Sequence, residues 1–118
     1  MPPALFSCNA ANKQHRNYNG RMTERPQAST VSASQSERSE IVFPGDTNDL
    51  GNLFGGRLMQ FIDLVGATAA CRHARSFTVT AAMDHLDFVA PVKVGDLLIL
   101  KSSVNRAFRS SMEVGVKA

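Results

Sequence analysis

The sequence predicts an α+β fold: one strand, a long buried helix, then three strands joined by tight connections. Three observations predict it. Leu58, Ile62, Val65 and Ala69 recur at i, i+4, i+7, the period of one helical face. Met112, Val114 and Val116 alternate with Glu113, Gly115 and Lys117, the period of a strand. Pro44-Gly45, Ala90-Pro91 and Gly95-Asp96 punctuate the chain where one element must give way to the next.

Taken in order, residues 1–38 are rich in Asn, Ser, Gln, Arg and Pro, show no sustained apolar period and read as a disordered tail. The folded domain then occupies residues 39–118, and 118 residues leave room for one domain. Glu40 to Phe43 is a short β-rich run stopped by Pro44-Gly45. Asp46-Thr47-Asn48-Asp49 is loop chemistry with several candidate helix caps. A helix is expected from about Phe54 to His73, and Met59, Phe61, Leu64, Ala67 and Ala70 make its other faces apolar as well. A helix apolar nearly all round is expected to be buried. A long β stretch from Phe77 to Val89, a strand from Leu97 to Val104, a turn over Asn105 to Arg109 and a last strand from Ser110 to Ala118 complete the order. The sequence ends inside or just after that strand, as a fragment or a shortened chain would.

The formal charge is +3, and it resides in the tail: residues 1–38 hold five basic and two acidic side chains, the remainder eight of each. No basic groove with interleaved aromatics is visible, so nucleic-acid binding is disfavoured. No apolar run is long enough to span a membrane, since Asp63 interrupts the richest one, Phe61 to Cys71. Cys8 and Cys71 form neither a metal nor a redox spacing, which makes a reducing, cytoplasmic setting the default. An organellar location is the alternative if the acid-poor start of the tail is a transit peptide, and Met22 is an alternative initiation site.

The chemistry concentrates between Pro44 and Ala70. Asp63 has Met59, Gln60, Gly66 and Ala67 at three and four residues' distance, so no local ion pair is supplied. A carboxylate in apolar surroundings is costly unless paired or functional, and its pKa is expected to rise toward that of a general base. Gly55-Gly56 stands at the expected helix start, where free N–H groups stabilise negative charge and the lack of a Cβ lets a carbonyl oxygen approach. The plainer reading of the pair is steric relief in a tight turn. Eight residues of helix separate Gly55 from Asp63 by roughly 12 Å, so one carbonyl cannot touch both within one chain. If both act, the carboxylate comes from a second subunit. Taken alone, Asn48 reads as an Asx-turn residue and Arg109-Ser110-Ser111 as turn chemistry. His73 reads as a helix-end cation, His85 as a strand residue, Cys71 as core, and Asp84 and Asp87 as structural.

Together, NDLGNLFGGRLMQFID, VTAAMDHLDFVAPVKVGD and RSSMEV resemble the acyl-CoA thioesterases of the hotdog fold, nearest to the cytosolic-type acyl-CoA hydrolases. The resemblance runs from about Ile41 to Ala118. It implies a long helix wrapped by a curved antiparallel sheet, and protomers paired as a homodimer or higher homo-oligomer with composite sites. The fold normally supplies five main strands, of which four are legible, so the last strand is expected to be lacking. The resemblance further implies hydrolysis of acyl-CoA to a fatty acid and CoA, with Asp63 as general base or nucleophile. Asn48 and the Gly55 N–H of the other chain would hold the carbonyl or the water. Arg109, Ser110, Ser111 and Gly56 would bind CoA, with no metal or cofactor needed. A non-catalytic acyl-CoA-binding or dimerisation module is the alternative for a shortened chain. A hydratase or dehydratase is weaker: Asp46-Thr47-Asn48 opens its Asp-x-Asn-x-x-His pattern, but Gly51 stands where the histidine belongs.

Overall fold

The computed structural model describes residues 4–9, as backbone, and 31–118. Its elements are β1 (Ala4–Asn9), α1 (Val31–Ser34), β2 (Ser36–Ile41), a 3-10 turn (Pro44–Asp46), α2 (Gly55–Ala74), β3 (Val79–Met83), β4 (Leu97–Ala107) and β5 (Ser111–Lys117). The strands form one five-stranded sheet in the order β2-β4-β5-β1-β3, antiparallel at every pairing. α2 packs across its inner face.

All four expected strands form, and a fifth comes from a segment read as tail. β1 lies between β5 and β3, with Phe6 opposite Val114 on one side and Met83 on the other. The expected boundary at residue 38 falls inside β2, which starts at Ser36, and α1 precedes it. Residues 10–30, where the transit-peptide and Met22 readings fall, lie outside the described residues.

The alternation predicted for the last strand holds: Met112, Val114 and Val116 are buried. Leu98, Leu100 and Val104 line the same inner face from β4, and Phe61, Ile62, Val65, Ala69 and Ala70 meet them from α2. Ser34, Ser36 and Ser102 are buried as well, and two of them tie elements together. Ser102 Oγ donates to the Val65 carbonyl at 2.8 Å, tying β4 to α2. Ser34 Oγ accepts from the Val104 N–H at 3.1 Å, beside the irregularity that lets β4 carry Asn105 as an extra residue against β5.

Three expectations change. The helix is buried along one stripe only, and Met59 and Leu64 on its opposite face remain 42% and 41% exposed. An open sheet covers one side of a helix, so among the described residues the apolar second face is left partly exposed. The long stretch after the helix is a strand only over Val79–Met83. Its pairing with β1 runs from Asn9 opposite Val79 to Phe6 opposite Met83 and stops there, although β1 itself continues through Leu5 to Ala4. The β4–β5 turn is shorter than expected, because β4 continues to Ala107 and the Phe108 N–H closes onto the Ser111 carbonyl at 2.7 Å. No described helix is long and apolar enough to cross a membrane.

Candidate active site

The loop from Pro44 to Phe54 is folded on itself before it delivers the helix. Asn48 Oδ1 accepts the N–H groups of Leu50 and Asn52 at 3.0 and 3.2 Å, the Asx turn expected of it. With its oxygen engaged, Asn48 retains the Nδ2 group as a donor for anything outside the loop. Asp46 fixes the end of the loop to the helix: Oδ1 accepts from Arg57 Nε at 2.8 Å, Oδ2 from the Phe43 N–H at 3.1 Å, and its carbonyl from the Phe54 N–H at 2.8 Å.

α2 therefore begins at a held position, and it begins without a cap. Phe54 at the N-cap supplies no side-chain acceptor, and no acidic residue stands in the first turn. The Arg57 and Leu58 N–H groups find the Phe54 carbonyl, at 2.9 and 3.1 Å. The N–H groups of Gly55 and Gly56 precede the first acceptor a helix can offer and remain available to a ligand. Neither glycine has a positive φ, so both are there for space. A Cβ on Gly56 would meet the Phe54 ring at 2.9 Å, and one on Gly55 would meet Phe88 at 3.5 Å.

Asp63 lies two turns further along, on the exposed face with Met59 and Leu64. It is half-buried, not enclosed by apolar groups as expected. Thr80 of β3 donates its hydroxyl to Asp63 Oδ1 at 2.6 Å. That contact fixes the carboxylate and leaves Oδ2 to accept from another donor. Thr80 was not legible in sequence, since it sits in a short exposed strand 17 residues away with no motif around it. The two arginines within reach along the helix are committed elsewhere: Arg57 to Asp46 and Gln60, Arg72 to the Gln35 carbonyl and Ser36. Asp63 and Gly55 share one helix, so the separation of roughly 12 Å from helical rise stands.

Arg109 and Ser110 are exposed in the β4–β5 turn, and Ser111 opens β5. Arg106 lies over the Phe108 ring, 5.0 Å from its centre. His73 is in the last turn of α2, His85 pairs with Asp87 at 2.9 Å, and Cys71 touches the Thr78 hydroxyl at 3.3 Å. Among the described residues, no cluster of His, Cys, Asp or Glu could hold a metal ion. A groove of about 590 Å³ over β2, β4 and β5 holds the Glu37–Lys101 ion pair and includes neither Asp63 nor Gly55. A smaller cavity, about 320 Å³, opens directly on Gly55.

A single long helix laid on an antiparallel sheet, with an uncapped glycine start and a threonine-held carboxylate, defines a hotdog domain with a candidate thioester site. Comparison with known proteins agrees, and the chain belongs to the thioesterase superfamily, whose family model matches residues 50–118. It is similar to an uncharacterised acyl-CoA thioester hydrolase of Bacillus subtilis, at 44% identity over 80% of this chain and 55% of that protein. Among solved structures it resembles an apo-hexameric acyl-CoA thioesterase, with a TM-score of 0.74 and 42% identity over 77% of this chain and 58% of that one. It also resembles an acyl-CoA hydrolase from Staphylococcus aureus in complex with butyryl coenzyme A, coenzyme A and coenzyme A disulfide. There the TM-score is 0.71, with 44% identity over 73% of this chain and 52% of that one. The chain thus spans little more than half the length of each of these three proteins.

Proposed function

We propose that this chain hydrolyses the thioester of acyl-CoA in a site shared between two copies. The observation that carries the reading is the Thr80–Asp63 hydrogen bond, 2.6 Å long, on the exposed face of α2. Variants of the Staphylococcus aureus enzyme have been made at an asparagine, an aspartate and a threonine, separated by 15 and 17 residues. Asn48, Asp63 and Thr80 repeat both separations. That coincidence supports the three residues as one working group, although Asn48 lies in the loop before α2 and Asp63 two turns into the helix.

In the reaction, water adds to the carbonyl carbon, the C–S bond breaks, and the proton lost by water ends on the CoA sulfur. Asp63, oriented by Thr80, takes that proton as general base. Alternatively it attacks the carbonyl as nucleophile, the C–S bond breaks to release CoA thiolate, and water then hydrolyses the mixed anhydride, freeing the fatty acid and Asp63 and giving a proton to the sulfur. The negative charge developing on the carbonyl oxygen meets the free Gly55 N–H of the second copy, with the positive end of its helix behind it. Asn48 of that copy offers its Nδ2 donor to the carbonyl or the water. Arg109, Ser110 and Ser111 face CoA phosphates by charge-assisted hydrogen bonds, and Gly56 keeps the approach to the helix open. The exposed apolar faces of Met59 and Leu64 beside Asp63 support a second copy as their cover.

Release of free thiol from a panel of acyl-CoAs tests the reading. Turnover by the wild-type chain that Asp63→Ala abolishes, with the oligomer intact, is the expected result. Near-wild-type turnover by Asp63→Ala would remove Asp63 from the chemistry, and acyl-CoA binding without thiol release would favour a binding module.

A further inference from the structure

The cavity of about 320 Å³ beside Gly55 is lined by Leu53, Leu58, Phe88 and Val92, with Val89 to Pro91 completing its rim. Its floor belongs to the fold: Leu53 is part of the core, and Leu58 and Val92 pack against it. Its wall is tied in place, because the Leu53 N–H donates to the Val92 carbonyl at 2.6 Å and Asn52 bridges to Lys93. Phe88 stands at the entrance, 56% exposed, with its ring 3.5 Å from where a Gly55 Cβ would lie. The ring thus covers the same helix start whose N–H groups are free.

We propose that this cavity receives the acyl chain and that Phe88 determines which chains it accepts, an inference that rests on the thioesterase reading above. A thioester carbon held at the Gly55 N–H must send one substituent toward CoA and the other toward this wall. The CoA arm carries amides, which an apolar wall would leave without hydrogen-bond partners. A hydrocarbon loses nothing there and gains about fourfold in binding for each methylene buried. At roughly 30 Å³ for a water-sized group, the cavity holds on the order of ten heavy atoms, which sets the class as short- to medium-chain acyl groups. Longer chains must pass the Phe88 ring to leave.

The test compares kcat/KM across straight-chain acyl-CoAs from butyryl to dodecanoyl for the wild type, Phe88→Ala and Phe88→Leu. The wild type is expected to fall off at the long end. Phe88→Ala should raise the dodecanoyl-to-butyryl ratio by about tenfold, the scale at which a hydrophobic pocket discriminates chain size. Phe88→Leu, which keeps an apolar wall, should fall between and serves if the alanine variant does not fold. Turnover with an unchanged ratio in both variants would overturn the acyl assignment while leaving the thioesterase reading in place. No thiol release by the wild type from any member of the series would overturn both.

Discussion

Asp63 and Thr80 form the shortest path from this sequence to a reaction, and the threonine's part is the easier to isolate. A carboxylate on an exposed helix face can rotate freely, and the 2.6 Å bond from Thr80 holds one of its oxygens. Hydrogen bonds to charged groups contribute enough to change a rate by about ten- to a hundredfold when lost. Thr80→Ala is therefore expected to lower kcat/KM for thiol release by that factor, while Thr80→Ser, which keeps the hydroxyl, recovers most of it. Wild-type activity in Thr80→Ala would show that the carboxylate needs no orientation. Asp63 was legible because a lone acid in an apolar run has no cheap structural explanation. Its supposed apolar enclosure was not, since the sequence cannot say which face of a helix the sheet will cover. Thr80 was invisible for a related reason: its partner is fixed by a crossing of strand and helix that no local pattern records.

At the scale of elements, α2 depends on how its first turn is held. A helix with Phe54 as N-cap forgoes the usual side-chain acceptor, which leaves Gly55 and Gly56 free for a ligand but the end open to fraying. Asp46 compensates by joining the 3-10 turn, the Phe54 backbone and the Arg57 guanidinium. Its side chain is only 12% exposed within the pair, while that of Arg57 is 41% exposed, so solvent screens part of the attraction. Arg57 also lies over the Phe61 ring, 4.7 Å from its centre. Arg57→Ala should cost about 1–2 kcal/mol, because a mostly buried carboxylate loses its charged donor. A loss of that size lowers Tm by roughly 4–8 °C per kcal/mol in a domain of this size, and thermal unfolding measures it. An unchanged Tm would mean that the two backbone bonds of Asp46 hold the turn unaided. The helix and its limits were readable to within one residue from periodicity and the glycine pair. The strand after it was not, because it ends where its pairing with β1 stops, at Met83 opposite Phe6, a point that no local pattern marks.

For the whole molecule, both the sheet and the site are completed by parts distant in sequence. Ala4–Asn9 enters the sheet between β5 and β3, a placement that six residues of unremarkable pattern cannot announce. Pairing on both sides fixes such a strand where its own composition would not. The proposed site has the same character, since Gly55 and Asp63 stand about 12 Å apart on one rigid helix. If two copies pair symmetrically, each site takes Asp63 from one chain and Asn48 with Gly55 from the other. This arrangement has a consequence that a site within one chain does not share. Asp63→Ala and Asn48→Ala would each inactivate both sites of their own dimer. In a mixed dimer, one site carries both substitutions and the other carries neither. Unfolding the two inactive variants together and refolding them at equal concentration gives about half mixed dimers, each with one intact site, so about a quarter of wild-type activity should return. Wild-type protein taken through the same cycle sets the scale. Recovery of thiol release from two inactive chains places the catalytic groups on opposite protomers. If the mixture stays as inactive as its components while the control regains activity, Asn48 and Asp63 act from the same chain, and the helix geometry then excludes that chain's own Gly55 from holding the carbonyl.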